Sequence, residues 1–296
     1  MTLPTDFQFS QGNLQDYVDC PRRFQLRYLL RLAWPAVEVE PALENERHLQ
    51  QGAAFHRLVH QHILGLSPER LSSMVTDKDL GRWWHNYLNS APADLAESRY
   101  PEVALSAPVG GHRLVAKYDL IAVGPVLSPS AGLGINSAEG PGQRAAILDW
   151  KTSRKRPRRK WLAQRLQTKV YPYLLVLAGS HLNEGKRGTS SLQPEQVEMV
   201  YWFANFPEDP ESFPYDAVQY DADGDYLASL VEEIKSLKDD DFRLTTQERR
   251  CSYCPYRSLC RRGVRAGPFD EVESEPEVGD DFEIALDFEQ IAEIEY

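Results

Sequence analysis

Apolar residues recur at helical spacing from Leu14 to Leu32, where Tyr17, Phe24, Tyr28 and Leu32 stand among polar neighbours and Pro21 is placed to interrupt the run. The same spacing predicts a second helix over about residues 44–64 and a third over about 77–88, with Trp83, Trp84 and Tyr87 as core positions. The pattern then changes period. Residues 99–107, 113–123 and 145–151 read as strands, the first two joined through Gly110-Gly111 as a hairpin. A helix over about 160–178, a strand over about 196–204 and a helix over about 223–237 follow, while the Gly-, Pro- and Ser-rich stretch 124–144 reads as a flexible surface insertion. Helices, a three-strand meander, a helix and a returning strand predict one α/β domain with a central mixed β-sheet flanked by helices.

Composition bounds this picture without altering it. A chain of 296 residues with 42% hydrophobic content can bury one large core. No apolar run approaches the ~18 residues of a membrane span, and the N-terminal MTLPTDFQFSQG lacks the pattern of a secretory signal, so a cytoplasmic protein with no membrane partner is expected. In a reducing compartment the four cysteines point to metal ligation rather than disulfides.

Charge is more informative by position than in total. The formal net charge is −11, yet twelve Asp or Glu and no Lys or Arg lie in residues 268–296, leaving residues 1–267 at +1. Such an acidic tail reads as a disordered solubilising extension. Its end interleaves Phe282, Ile284, Leu286, Phe288, Ile291 and Ile294 with acids, a pattern suited to docking on a protein partner or, as a DNA mimic, on a basic surface. In contrast, Lys151 to Lys169 holds nine basic and no acidic residues. Within it Arg154, Lys155, Arg156, Arg158, Arg159 and Lys160 form a candidate phosphate-binding track.

The chemistry concentrates in two strands. In AILDWKTS, alternation places Ile147, Asp149 and Lys151 on one face and Leu148 and Trp150 on the other. In LVAKYDLIAV only Lys117 and Asp119 are polar, and a carboxylate buried there requires a cationic partner. Two aspartates on neighbouring strands suit Mg²⁺ or Mn²⁺, which bind through carboxylates and keep several waters. A nearby lysine can then orient a water or stabilise developing negative charge in phosphodiester hydrolysis. The D-x-K tripeptide by itself is equally what a structural Asp–Lys pair at a strand end would show.

Asp119 in KYDLI followed by Asp149-Trp150-Lys151 resembles the metal-binding core of the PD-(D/E)XK nuclease superfamily. Gly52-Ala53-Ala54-Phe55-His56 resembles the G-x-x-x-H helix motif of its RecB-like branch, and Gln167-Thr168-Lys169-Val170-Tyr171 the Q-x-x-x-Y motif. The resemblance implies a restriction-endonuclease-like core and a DNA exonuclease preferring single strands or free ends. It implies further that His56, Asp119 and Asp149 are ligands of Mg²⁺ or Mn²⁺, that Lys151 is catalytic, and that Gln167 and Tyr171 position DNA. Glu102, on the first long strand, is a candidate support for the metal shell. Two departures stand out: Ala116 where the family often has Gly, and Pro172 inside the Q-x-x-x-Y helix, where it is expected to kink the helix or end its regular bonding.

Cys251, Cys254 and Cys260 follow a C-x2-C-x5-C spacing, and Cys20 is the remaining cysteine. Four thiolates can hold tetrahedral Zn²⁺ or a [4Fe–4S] cluster. The resemblance favours the cluster, as in CRISPR-associated RecB-like exonucleases and AddB-type nuclease domains, and makes Cys20 with residues 250–263 a small iron–sulfur module joining both ends of a nuclease domain over residues 1–267. No Walker A spacing is present, so no ATP is expected. Competing readings are a non-catalytic DNA-binding or scaffold subunit and an RNA-processing nuclease.

Overall fold

The computed structural model describes residues 3–32, 42–92, 95–96, 98–125, 143–183 and 191–263. The acidic tail lies outside them, and of the expected insertion 124–144 only the two residues at each end are described, as strand termini.

A short strand β1 (Gln8–Ser10) leads into α1 (Gln11–Asp19). Ser10 caps that helix through Asn13 N–H, and the Asn13 side chain accepts the Ser10 N–H in return. The break expected near Pro21 falls at Cys20, whose extended backbone separates α1 from α2 (Pro21–Phe24). A π-helical turn over Gln25–Leu29 continues α2. There follow α3 (Ala42–Ile63), α4 (Pro68–Met74) and α5 (Lys78–Ser90), the last two capped by Ser67 and Asp77. Strands β2 (Ser98–Val109) and β3 (His112–Pro125) form the expected hairpin, with Gly110 and Gly111 both at positive φ in the turn. Then come β4 (Gln143–Lys151), α6 (Arg159–Leu162), α7 (Leu166–Ala178), β5 (Val197–Phe203), β6 (Glu211–Pro214) and α8 (Ala217–Ser236). Among the described residues no helix is long and apolar enough to cross a membrane.

The six strands make one mixed sheet in the order β1-β3-β4-β5-β6, with β2 along the other edge of β3. β1 with β3 and β4 with β5 are parallel; the other pairings are antiparallel. One face packs Ile147, Met199, Tyr201 and Phe203 against Leu166, Val170 and Leu174 of α7 and Leu227 and Val231 of α8. The other packs Leu148, Trp150, Val200 and Trp202 against Phe55 of α3 and Trp83, Trp84 and Tyr87 of α5, the expected core aromatics. Since both faces are covered, β5 is buried along its whole length, which hides the two-residue alternation in its sequence.

Three expectations need correction. The single helix over 160–178 is two, because Arg165 adopts an extended conformation and α7 starts afresh at Leu166, whose N–H is bonded by the Gln15 side chain at 3.0 Å. Pro172 does not end α7, which runs on to Ala178; the proline lies buried in the core, and Tyr118 donates a 2.9 Å hydrogen bond to the adjacent Tyr171 carbonyl. The last helix begins at Ala217 rather than 223, because Asp216 caps it through the Gln219 N–H at 2.7 Å. β1, α4 and β6 were absent from the sequence reading, each being too short to show a period.

Candidate active site

The sheet contains a fork. Along one edge β3 pairs continuously with β2, but its other edge is shared: β1 pairs with residues 113–115 and β4 with residues 120–125. Asp119 lies just before β4 joins. Its Oδ2 accepts the Trp150 N–H at 2.8 Å, so the carboxylate occupies the place of a ladder bond where β4 diverges from β3. β2 faces this level with Glu102, which lies between the pairs Pro101–Leu120 and Val103–Tyr118 just as Asp119 does on β3. Glu102 is at φ 55°.

On β4 the expected alternation places the buried Asp149 and the half-buried Lys151 together, with Lys151 Nζ 3.0 Å from Asp149 Oδ2. Gln167, in the first turn of α7, bridges them. Its Nε2 donates to Asp149 Oδ1 at 2.6 Å, and its Oε1 accepts from Lys151 Nζ at 3.0 Å. A side-chain amide carries both a donor and an acceptor, so it fixes the carboxylate and the ammonium at once; neither a glutamate nor a lysine could do both. Beneath Lys151 lies the ring of Tyr201, its centroid 5.7 Å from Nζ and its hydroxyl 2.7 Å from Thr168 Oγ1. Tyr201 was missed because β5 reads as uniformly buried.

The third side of the fork comes from α3. At Gly52 this helix passes close to the residue that follows β4, for a Cβ there would stand 3.0 Å from Thr152 Oγ1. One turn on, His56 reaches Asp119, with Nδ1 3.1 Å from Oδ1. This is the cationic partner expected for Asp119, which is half-buried. Burial alone would lower the His56 pKa, but the charge and hydrogen bond of Asp119, with the charge of Asp149, outweigh it and Lys151 and raise it to about 9. In turn, burial pushes Asp119 up, and His56, the Trp150 N–H and Lys151 bring it below the usual carboxylate range.

The other candidates divide. Tyr171 is buried, its ring 4.7 Å from that of Tyr118 in the core. Glu102 pairs with Lys117. Of the basic track, Arg156 is held by Glu211 at 3.0 Å and Asp209 at 3.1 Å and stacks over Phe203, while Arg159 binds the other oxygen of Glu211 at 2.6 Å over Phe213. Arg154 pairs with Glu44 at 2.9 Å. Consequently the run does not stand as one row of uncommitted cations: Arg156 and Arg159 fasten the β6 edge, although Arg159, like Lys155, Arg158 and Lys160, is exposed.

Both ends of the described chain meet in a cavity lined by Cys20, Cys251, Cys254 and Cys260 together with Arg23, Arg250 and Arg257. As thiols, Cys251, Cys254 and Cys260 have raised pKa values; burial is the main cause, it takes Cys254 to about 11, and the neighbouring Cys20 adds to it.

No group of three or more His, Cys, Asp or Glu side chains among the described residues is arranged to hold a metal ion. Mg²⁺ does not require three, because it is commonly bound through one or two carboxylates plus water and substrate oxygens. The donor chemistry of Asp119 and Asp149 fits such an ion, whereas the four cysteines line one cavity beside three guanidinium groups without being arranged as a metal-ligand set.

A family model described as the PD-(D/E)XK nuclease superfamily matches residues 8–261, a span that includes every residue of the fork and all four cysteines. No curated protein matches the chain. Among solved structures, a crystal structure of a Eubacterium rectale protein provisionally named an exonuclease shares 11% identity at a TM-score of 0.47, covering 88% of this chain and 89% of that one.

Proposed function

The chain belongs to the PD-(D/E)XK nuclease superfamily, and on that premise we propose that it is a metal-dependent deoxyribonuclease of the RecB-like kind, acting as an exonuclease on single-stranded DNA in repair, recombination or CRISPR-type processing. The observation that carries this reading is the fork itself. Asp119 and Asp149 sit on strands that have just parted, with Lys151 3.0 Å from Asp149 and Gln167 bonded to both.

In this reading Asp119 and Asp149, with His56, hold Mg²⁺ or Mn²⁺, which when bound polarises a phosphoryl oxygen and lowers the pKa of water. The protein supplies the rest. Gln167 fixes the Lys151 ammonium, which stabilises the negative charge that grows on phosphate as the P–O bond breaks. Asp119 and the Trp150 N–H lock the strand geometry, and His56 holds the Asp119 carboxylate in place until an ion competes for it. Exposed Lys155, Arg158 and Lys160 lie along the DNA path, and salt should weaken binding steeply. Glu102 and Tyr171 shape the site from behind, through Lys117 and Tyr118. Cys20, Cys251, Cys254 and Cys260 carry a [4Fe–4S] cluster that staples residues 1–32 to residues 242–263.

The test uses anaerobically purified protein, Mg²⁺ or Mn²⁺, and end-labelled single-stranded DNA, duplex DNA, circular single-stranded DNA and RNA. Short products from linear single strands, abolished by EDTA, are expected. Equal cutting of circles would contradict the exonuclease reading, and preferential cutting of RNA would contradict the choice of DNA. Iron and acid-labile sulfide in near-equal amounts are expected in the same preparation; zinc without sulfide would replace the cluster with a zinc staple.

A further inference from the structure

Gln167 can bridge Asp149 and Lys151 only if the first turn of α7 stays where it is, and that turn has no cap of its own. Arg165, at the N-cap position, makes no side-chain capping bond, so the Leu166 N–H, one of the unsatisfied donors of a helix start, would be orphaned. It is bonded instead from 151 residues away. Gln15 of α1 accepts it through Oε1 at 3.0 Å, in a contact that is buried. The same amide donates through Nε2 to Asp19 Oδ1 at 3.0 Å. Asp19 is bound in turn by Arg250 and, at 3.1 Å, by Arg23, two of the three arginines lining the cysteine cavity, while Arg165 approaches it at 3.7 Å.

These contacts form an unbroken chain: cysteine cavity, Arg23 and Arg250, Asp19, Gln15, Leu166 N–H, and then Gln167 one residue on. We infer that Gln15 is a positioning residue for the reacting site, and that through Asp19 it makes the seating of Gln167 depend on the integrity of the cysteine cavity. The inference rests on the nuclease reading for its catalytic consequence, but its structural part stands on the hydrogen bonds alone. It also gives the cavity a role beyond stapling the chain ends. Arg23 and Arg250 line the cavity and bind the same Asp19 carboxylate to which Gln15 donates.

Gln15→Leu removes both bonds while keeping a side chain of similar size. Amide exchange at Leu166, measured on the full protein by NMR or mass spectrometry, is expected to quicken about fivefold to tenfold, the loss of one buried hydrogen bond. Asp19→Asn should quicken it by about threefold through the same link. For cleavage of a single-stranded oligonucleotide, Gln15→Leu should lower kcat about tenfold with KM unchanged and should cause no further loss in a Gln167→Ala background, because both act through one amide. Additive losses in the double variant would overturn the positioning role. Leu166 exchange at the wild-type rate in Gln15→Leu would overturn the cap, and the same result in Asp19→Asn would overturn the link to the cavity. If wild type cuts nothing, the nuclease reading falls and takes the kinetic consequence with it, while the exchange rates still decide the cap and the link.

Discussion

The fork between β3 and β4 and the cavity between the chain ends are both built from potential metal ligands, yet the protein treats them in opposite ways. At the fork each carboxylate already has a protein partner: His56 faces Asp119, and Lys151 with Gln167 faces Asp149. The carboxylates are therefore held in place by the fold, and Asp119 is held charged. In the cavity, burial and the neighbouring Cys20 push Cys251, Cys254 and Cys260 toward their neutral form, and Cys254 reaches about 11. In the proposed function, charge arrives there only when a metal displaces the protons. On that proposal one centre is preorganised and the other is completed by its occupant, so losing the metal should cost activity at the first and stability at the second.

The sharpest way to break this contrast is at Lys151. Lys151→Met should lower kcat by about 10²- to 10³-fold, the usual size for removing a group that stabilises transition-state charge, with a melting temperature close to wild type. A large loss of stability would mean that the fork is held together by its ion pairs rather than by the sheet. Cys254→Ser makes the complementary cut. It should lower the melting temperature by about 10 °C or more, as expected when several kcal/mol of metal-binding energy no longer support the fold. Full thermal stability with no metal bound would erase the distinction.

Gly52 sharpens the comparison from the packing side. A Val there would drive side-chain atoms into Thr152, since even a Cβ comes within 3.0 Å of its hydroxyl. Gly52→Val should cost about 1–3 kcal/mol in stability by overpacking, and activity more than stability, by moving His56 away from Asp119. Denaturant unfolding beside kcat separates the two effects.

The smallest expected effect is a pH dependence. His56 is raised to about 9, so its contribution to the metal-free protein is complete below the ordinary imidazole value and is lost as pH climbs through about 9. Asp119 is depressed, so its contribution is complete above the ordinary carboxylate value and is lost as pH falls through its lowered value. Metal-free wild type should thus lose stability between neutral and alkaline pH relative to His56→Gln. Mn²⁺ affinity should rise over the same window, because the ion competes with the His56 proton. Parallel stability curves for the two proteins would contradict the His56–Asp119 pairing.

Much of this was legible in the chain because burial imposes a period. Strand alternation put Asp149 and Lys151 on one face, and the cost of burying Asp119 in an apolar strand demanded the cation that His56 supplies. What escaped the sequence depends on contacts between distant segments. Neither the start of α7 at Leu166 nor the role of Gln15 can be read locally, since the cap comes from another helix. Likewise Arg156 and Arg159 read as part of a free basic run until β6, too short to show a period, brings Glu211 beneath them.

The central claim, that the fork is a metal-dependent phosphodiesterase site held ready by its protein partners, is tested most directly by Asp149→Asn. The amide preserves the size of the side chain while removing the charge that would meet both Lys151 and a divalent ion. Cleavage of end-labelled single-stranded DNA by wild type, with at least about a thousandfold loss in Asp149→Asn and an unchanged melting curve, is the predicted result. Equal cleavage by both proteins, or by neither with the cysteine cavity fully occupied, would contradict it.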